Sequence, residues 1–264
     1  MKIIFTFIII VLVLLPFFLM LQMSFMKPEQ IFQYPPSIFF KPTFNNYIDL
    51  FNESSFIKQF YNSLITSSVS TILSMLIGVP AAYSISRARY KYEKYISVWI
   101  LFSRMAPPIA FAIPFFLLYR NLGLIDTKIG LIIIYLTFNL SLVIWIMIAF
   151  FEGIPKTLEE AAFLDGASVH QTFMKIVLPL TTPGLATTAI FCFLFSWNDF
   201  FYSLILTRSK SMTAPVAIVN FMNYEGWEWG KITAGSVLIM LPVIIFSILV
   251  RSYLIKGLTA GAIK

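Results

Sequence analysis

The chain has 264 residues, of which 59% are hydrophobic and 12% are charged, and its net charge is +7. Soluble domains are about 25% charged, so this composition excludes an ordinary soluble enzyme, a secreted module and a disordered segment. We therefore expect an integral membrane protein. The positive charges lie between apolar runs. There, membrane topology and contact with anionic lipid headgroups explain them better than binding of nucleic acid does.

Side chains that carry chemistry are scarce. Cys192 is the one cysteine and His170 the one histidine, which excludes an internal disulfide, a cysteine-based metal site and a multi-histidine metal centre. The sequence also lacks the Gly-x-x-x-x-Gly-Lys-Ser/Thr phosphate-binding loop. We expect no catalytic residue, no metal and no cofactor in this chain, and any ATP that drives it should bind to another chain.

Six apolar runs are long enough to cross a bilayer as helices, which takes about 20 residues each. They cover residues 3–24, 63–85, 96–119, 129–151, 177–206 and 233–254. All six are predicted to be helices, because backbone groups in lipid must be bonded internally and the alternation of a membrane β-strand is absent. The first run is longer than the apolar core of a signal peptide and no small-residue cleavage site follows it, so we expect a retained span.

Basic residues in the loops predict the orientation of the chain. Arg87, Arg89, Lys91 and Lys94 crowd the short loop that follows the second run. Cytoplasmic loops carry an excess of Lys and Arg, so this loop and both termini are predicted to be cytoplasmic. Residues 1–264 then form a single multi-pass domain in the cell membrane.

Two ionisable residues, Arg104 and Asp199, fall inside the predicted spans. Charges there are costly, and they usually face the interior of a helix bundle or water. Asp199 follows Trp197 and Asn198, and such a group suits stacking on a sugar ring and bonding of its hydroxyls. The alternative is that Trp197 anchors its helix near the outer headgroups.

The loop between the fourth and fifth runs, 152–176, has the pattern of a short helix. Thr157 and Glu160 match a capping box, Thr-x-x-Glu, which starts a helix. Gly166 is expected to end this helix, because glycine tolerates the left-handed backbone found after helix C-termini. Ser168 opens a second capping box, Ser-x-x-Gln. Small residues on the helix permit close approach of a partner, whereas a lone loop helix usually packs on its own protein, and the spacing alone leaves both interpretations open.

The same loop resembles a known family. Glu160-Ala161-Ala162, Gly166 and Ile176-x-Leu178-Pro179 fill every position of the signature of binding-protein-dependent ABC importer permeases. Further segments resemble the carbohydrate branch of that family, which includes the maltose-transporter type. They are Asn62-Ser63-Leu64, Ala81-Ala82-Tyr83-Ser84-Ile85-Ser86-Arg87, Asn121-Leu122-Gly123-Leu124-Ile125-Asp126-Thr127, Trp197-Asn198-Asp199-Phe200 and the tail 256–264.

The resemblance implies an all-α type I importer fold with six transmembrane helices and a cytoplasmic coupling helix. It implies a non-catalytic subunit that pairs with a second permease above two ATPase subunits, which bind ATP and Mg²⁺. An extracytoplasmic binding protein would deliver a sugar or oligosaccharide. Closure of the ATPases would move the coupling helices and switch the cavity between inward-facing and outward-facing states.

The resemblance also implies roles for particular residues. The expected ATPase-coupling contacts are Glu160, Ala161, Ala162, Asp165, Gly166 and Ala167. The candidates for the substrate pathway are Asn139, Trp197, Asn198 and Asp199. The second permease is expected to supply many of the sugar contacts.

Three alternatives remain from the residues alone. A stand-alone secondary transporter would be expected to contain internal repeats and several ionisable groups near the middle of the membrane. The ionisable groups in the predicted spans of this sequence are Arg104 and Asp199. A membrane enzyme would need nucleophile, base or metal ligands gathered at one membrane face, and no such set is found. A member of the same family could carry a polyol or a glycerophosphodiester-type solute, and a phosphate-bearing cargo would favour cationic groups, for which Arg104 is the candidate.

Overall fold

The computed structural model describes residues 2–35, 39–52, 55–87, 93–223 and 226–260. In this part the regular secondary structure is helical, apart from a short antiparallel pair formed by β1 (Met222–Asn223) and β2 (Gly226–Trp227). The predicted all-α fold is confirmed. Arg89, Lys91 and residues 261–264 of the tail lie outside the described residues.

The helices of the described part follow one another along the chain. They are α1 (Lys2–Ser24), α2 (Pro28–Ile31), α3 (Asn45–Asn52), α4 (Phe56–Arg87), α5 (Glu93–Met105), α6 (Ala112–Asn121), α7 (Lys128–Glu152), α8 (Lys156–Leu164), α9 (Val169–Thr172), α10 (Leu178–Leu180), α11 (Thr182–Trp197), α12 (Phe201–Leu206), α13 (Ala214–Ala217) and α14 (Trp229–Ala260). Two 3₁₀ turns, Pro108–Phe111 and Ile218–Phe221, and one π-helical segment, Phe173–Val177, lie between them.

Among the described residues, four helices are long and apolar enough to cross a membrane. They are α1, α4, α7 and the stretch Trp229–Leu249 of α14. A fifth candidate is a bent pair, Val169–Leu180 followed by Thr182–Trp197, with an angle of 78° between the two parts. The remaining predicted run, 96–119, is divided between two shorter helices.

Proline explains the division of the run 96–119. The first part, α5, ends at Met105, and a 3₁₀ turn separates it from α6. Pro107 and Pro108 lie at this break. Proline lacks a backbone N–H and disfavours helical backbone in the residue before it, so the helix ends there. Irregular backbone at membrane depth is tolerated where protein buries it or where it lines a cavity.

The predicted run 177–206 is also interrupted. The chain bends at Thr181, between α10 and α11. Pro179 and Pro183 flank the bend, and each removes a backbone donor that a continuous helix would use. The Thr181 hydroxyl donates a hydrogen bond to the Val177 carbonyl over 3.1 Å, which helps to satisfy the backbone at this point.

The chain divides into two compact units. One comprises Met1–Ser63 with Ser211–Ile244, and the other comprises Leu64–Lys210 with Ile245–Lys264. In the first unit, α1 buries Ser24 alone of its residues, so its apolar surface is available to lipid. The core of that unit contains Leu50, Phe56, Ala214, Ala217, Phe221 and Ile232.

The second unit is organised around α7, which packs against α5, α11 and α12. Glycine permits the closest approaches. A Cβ atom on Gly78 of α4 would lie 2.7 Å from Cγ1 of Val143, and one on Gly184 of α11 would lie 2.5 Å from Cγ of Phe150. Small residues at such crossings are how membrane helices pack closely. The two buried clusters of this unit centre on Val143, Met147 and Phe151 and on Leu131, Ile134 and Tyr135.

Candidate functional site

The predicted coupling helix is present as α8, but it begins earlier than expected. Pro155 occupies the N-cap position, with φ −58° and ψ 128°, and no side chain caps the helix. Thr157 is already the second helical residue, so the predicted Thr157–Glu160 capping box is wrong. Pro155 explains the earlier start, because its ring fixes φ near a helical value and it has no N–H to satisfy.

The end of α8 is the predicted glycine turn. Gly166 has a φ of 82°. Its amide donates to the Phe163 carbonyl over 3.1 Å, and the Ala167 amide donates to the Ala162 carbonyl over 2.9 Å. This pair of bonds is a Schellman motif, which satisfies carbonyls left open at a helix end. A Cβ on Gly166 would meet nothing within 4 Å, so backbone conformation, rather than space, requires glycine here.

The second predicted capping box is confirmed at the start of α9. The Gln171 amide donates to the Ser168 hydroxyl over 3.3 Å, and the Ser168 amide donates to the Gln171 side-chain carbonyl over 2.9 Å. This reciprocal pair satisfies two donors at the helix start. It thereby fixes the direction in which the chain leaves the loop and enters the bent fifth span.

Most of the predicted coupling residues lie on the surface. Glu160, Ala161, Asp165 and Gly166 are exposed, and Ala167 is half-buried. Ala162 is buried, so its small side chain serves the packing of α8 on its own chain. The buried Ala162 agrees with packing of the loop on its own chain, and the exposed members leave the docking interpretation open.

An apolar part of this surface was missed by sequence reasoning. Leu164 is 90% exposed, and Leu158 and Phe163 are exposed by 45% and 43%. Large apolar side chains grouped on a short solvent-facing helix are typical of a protein-binding surface. The sequence contains this apolar group, because Leu158, Phe163 and Leu164 lie among the acidic residues and alanines of the same helix.

A second missed feature lies on the inner side of α8. Glu159 is buried, and its Oε1 accepts a hydrogen bond from Nε of Arg87 over 2.7 Å. Nη2 of Arg87 forms an ion pair with the same oxygen, also at 2.7 Å. Its Oε2 accepts a hydrogen bond from the Tyr83 hydroxyl over 2.6 Å. Arg87 Nη2 also donates to the Ile154 carbonyl over 3.2 Å. The cluster of Glu159, Arg87 and Tyr83, called the Glu159 cluster below, therefore joins α8 to the end of α4.

The polar residues of the fifth span lie at a helix break. The C-cap of α11 is Asn198, whose Nδ2 donates to the Leu194 carbonyl over 2.8 Å. Asp199 Oδ1 accepts from the Tyr202 amide over 3.4 Å, and its Oδ2 accepts from the Ser203 amide over 3.0 Å. One side chain thus ends α11 and the next starts α12, which is why the polar cluster interrupts an apolar run.

Asp199 also lines a cavity of about 450 Å³. Its Oδ2 accepts a further hydrogen bond from the Tyr135 hydroxyl over 3.2 Å. The Tyr202 ring, another lining group, stacks on Phe138 with 6.2 Å between the ring centroids. The remaining lining residues are Ser103, Ala106, Pro108, Phe111, Phe115, Thr137 and Phe195. Aromatic faces beside hydroxyls and a carboxylate are the groups that can hold a polyhydroxylated ligand.

The other pathway candidates are placed differently. Trp197 is fully buried and stacks on Phe193, with 5.6 Å between the ring centroids. Asn139 is also fully buried, and its Nδ2 donates to the Ser196 hydroxyl over 2.8 Å. In this conformation Trp197 and Asn139 hold α11 against its neighbours, Asn198 is exposed, and Asp199 is the one that lines the cavity.

Comparison with known proteins agrees with this geometry. Residues 74–258 match the family described as the binding-protein-dependent transport system inner membrane component. Among curated relatives, the trehalose transport system permease protein SugB of Mycobacterium tuberculosis is 40% identical over 84% of this chain and 82% of its own length. The trehalose/maltose transport system permease protein MalG of Thermococcus litoralis is 34% identical over 95% of this chain and 91% of its own length.

The fold has a solved counterpart of the same kind. A chain of a bacterial ABC transporter involved in the import of the acidic polysaccharide alginate superimposes with a TM-score of 0.78. It is 25% identical to this chain, and the match covers 96% of this chain and 94% of that one. With a family match over most of its length and relatives at this level of identity, the chain is a multi-pass membrane protein that belongs to the inner membrane components of binding-protein-dependent transport systems.

Proposed function

We propose that the chain is a permease subunit of an ATP-driven importer and that its cargo is a sugar or oligosaccharide. The observation that carries this proposal is the combination of the α8 loop with a cavity of sugar-compatible lining on one chain. Relatives named for trehalose, for trehalose and maltose, and for diacetylchitobiose support the choice of cargo. The chain itself performs no chemistry in this proposal.

The partners follow from the same assignment. A second permease completes the pathway, an ATPase dimer binds ATP and Mg²⁺ on the cytoplasmic side, and an extracytoplasmic binding protein delivers the cargo. A solved relative of the same fold is a bacterial alginate ABC transporter in complex with a pentasaccharide-bound periplasmic protein, which supports the general arrangement. In this proposal both termini and the α8 loop lie in the cytoplasm.

Docking of the ATPase uses the exposed surface of α8. Glu160 and Asp165 supply negative charge, and Ala161 and Gly166 permit close approach of the partner backbone. The exposed Leu164 adds apolar area that docking would remove from water. When ATP closes the ATPase dimer, α8 moves with it, and the cavity changes the side to which it opens. This is alternating access with a bistable element that is biased from a remote site.

The cavity beside α12 is the proposed part of the substrate pathway on this chain. Asp199 accepts hydrogen bonds from sugar hydroxyls, and the Tyr202 and Phe138 rings offer apolar faces for a sugar ring. Asp199 keeps its capping role at the same time, because a carboxylate has about four lone-pair sites and three bonds are present here. Trp197, Asn198 and Asn139 act beside it, as packing or rim residues, when the pathway opens.

Uptake in the host that encodes the chain tests the cargo. The gene is deleted, and entry of radiolabelled trehalose, maltose, diacetylchitobiose and an alginate oligosaccharide is measured before and after complementation. We expect one class of sugar to enter with the wild-type gene and not with Gly166→Pro, because proline fixes φ near −65° where the turn needs 82°. Unchanged entry of every sugar in the deletion strain would contradict a carbohydrate cargo.

Purification in mild detergent tests the partners. A tagged chain is extracted from its native membrane, and the co-purifying proteins are identified by mass spectrometry. We expect an ABC-type ATPase and a second permease. Recovery of the chain alone would contradict the subunit arrangement and would favour a stand-alone transporter.

A further inference from the structure

The two neighbouring glutamates of α8 differ sharply in exposure. Glu159 is 5% exposed, whereas Glu160 is exposed. Successive residues of an α-helix are separated by about 100° around the axis, so a helix lying on a surface turns one of two neighbours inward. Glu160 is therefore available to a partner, and Glu159 is committed to its own chain.

Every acceptor oxygen of Glu159 is used. Oε1 accepts a hydrogen bond from Nε of Arg87 over 2.7 Å and forms an ion pair with Nη2 at 2.7 Å, and Oε2 accepts a hydrogen bond from the Tyr83 hydroxyl over 2.6 Å. The side chains of Arg87 and Glu159 are 14% and 6% exposed. Charge-assisted bonds of this length between groups shielded from water are the strong and geometrically specific class of hydrogen bond.

Tyr83 anchors the cluster in the core of the second unit. Its ring packs edge-on against Phe151 at 5.6 Å and lies tilted on Phe173 at 4.7 Å. Phe151 belongs to the last turn of α7, and Phe173 begins the π-helical segment that leads into the fifth span. One residue of α4 thus contacts both elements that flank the coupling loop, while its hydroxyl bonds to α8 itself.

These contacts give α8 a fixed attachment to α4. Alone, a helix of nine residues is too short to keep its shape and position in water, so its orientation depends on tertiary contacts. The chain connections at Pro155 and Gly166 attach α8 at its two ends. The Glu159 cluster adds a third attachment, in the middle of the helix and on the side away from the proposed ATPase contact.

We propose that the Glu159 cluster is a rigid joint that transmits the displacement of α8 to α4, so that the second span moves together with the coupling loop. Glu159, Arg87 and Tyr83 are positioning residues in this role, since none of them meets the cargo or the ATPase. The inference rests on the proposed docking surface of α8. The Glu159 cluster would transmit movement of α8 into the membrane through α4, in addition to the chain connections of α8 to α7 and α9.

Separate readouts of docking and coupling test this joint. The complete importer, with its binding protein, is reconstituted in proteoliposomes. The amount of ATPase bound per permease is measured, together with the number of sugar molecules imported per ATP hydrolysed. Glu159→Gln keeps the size of the side chain and removes its charge. We expect it to retain the ATPase and to lower import per ATP about tenfold, because Arg87 loses the ionised partner of its hydrogen bond and ion pair while the size of the side chain is kept.

A double-mutant cycle tests whether the two charges act as a pair. Arg87→Gln alone should lower import per ATP to a similar extent. The double variant, Glu159→Gln with Arg87→Gln, should be no worse than either single variant, because each single change already breaks the pair. Independent contributions would instead multiply, to about a hundredfold loss. That multiplication would overturn the paired role.

Three further variants distinguish loss of coupling from loss of ATPase docking and from poor production of the protein. Glu152→Gln removes an exposed carboxylate at the end of α7 and should leave import per ATP unchanged. Glu160→Lys should release the ATPase, which is the loss of docking rather than of coupling. If Glu159→Gln is poorly produced, Tyr83→Phe removes one bond of the same cluster and should lower import per ATP by a smaller factor.

Two results would overturn the inference. Import per ATP by Glu159→Gln and Tyr83→Phe at the wild-type level would show that α8 transmits movement without the joint. Loss of the ATPase from Glu159→Gln would make Glu159 part of the docking site instead. If the wild-type chain itself retains no ATPase, the proposed function fails, and this outcome is distinct from both.

Discussion

Gly166→Ala isolates the contribution of one backbone conformation to the coupling loop. The residue has a φ of 82°, and an added Cβ would meet nothing within 4 Å, so the methyl group itself causes no clash. The whole cost is the strain of a left-handed alanine, about 1–2 kcal/mol. If the turn relaxes in the free permease and the ATPase must restore it, ATPase binding weakens by a factor of about 5–30.

The assay is the amount of ATPase retained by the detergent-purified permease over a dilution series. Gly123→Ala is the matched control, because Gly123 has a φ of 66° and equally empty surroundings, but it lies between α6 and α7. Both variants should lose similar thermal stability. We expect weaker ATPase retention for Gly166→Ala alone, and a smaller effect for Gly166→Asn, since asparagine tolerates left-handed backbone.

Two results would refute this reasoning. Equal ATPase retention by Gly166→Ala and the wild type would mean that the turn does not need its observed conformation for docking. Equal weakening by Gly123→Ala would mean that general destabilisation of the permease, and not the coupling loop, controls retention of the ATPase.

The remaining predictions concern charge, cavity and packing. Glu160→Lys should weaken ATPase binding by about 1–3 kcal/mol, measured by the same retention assay; unchanged retention would remove Glu160 from the contact. Asp199→Ala should lower sugar uptake while ATPase retention stays at the wild-type level, and wild-type uptake would remove Asp199 from the pathway. Gly184→Val should lower the yield and thermal stability of the folded permease, because even the first added carbon would lie 2.5 Å from Phe150; a stable variant would show that α11 and α7 can separate without cost.

Composition and spacing were sufficient for the class of fold. The membrane-spanning character followed from apolar runs, and the α8 turn followed from Gly166, because only glycine enters left-handed backbone at little cost. The second capping box at Ser168 was equally readable, since it depends on residues three positions apart. Features of this kind depend on residues that are close together in the chain, so the sequence alone is enough to predict them.

Other features depend on contacts between residues far apart in sequence. The sequence pattern places Arg87 among several loop charges that set orientation, yet it pairs with Glu159, 72 positions later. The sequence favoured Glu160 because the family signature contains it, and the inward direction of Glu159 depends on where α8 begins. That start was misplaced because Thr157 matches a cap, while Pro155 begins the helix instead.

The breaks in the spans did not follow from the apolar runs. Hydropathy alone did not show that the run 96–119 divides into two helices or that the chain bends by 78° between Val169–Leu180 and Thr182–Trp197. Asp199 was expected inside a helix and instead starts α12 by accepting two backbone amides. Whether a polar side chain in an apolar run serves a cap or a cavity is decided by its neighbours in space, here Tyr135 and Tyr202.

The most direct test of the account is site-specific photo-crosslinking from α8. Leu164 is replaced by a photo-reactive amino acid, because its side chain is 90% exposed on the proposed docking surface. Leu122, 60% exposed and predicted to lie on the outer side, carries the same probe as the control. After irradiation of intact membranes, we expect position 164 to give an adduct with an ABC-type ATPase and position 122 to give none. An ATPase adduct from position 122, or adducts of position 164 with lipid or with the chain itself alone, would contradict the assignment of α8 as the coupling helix.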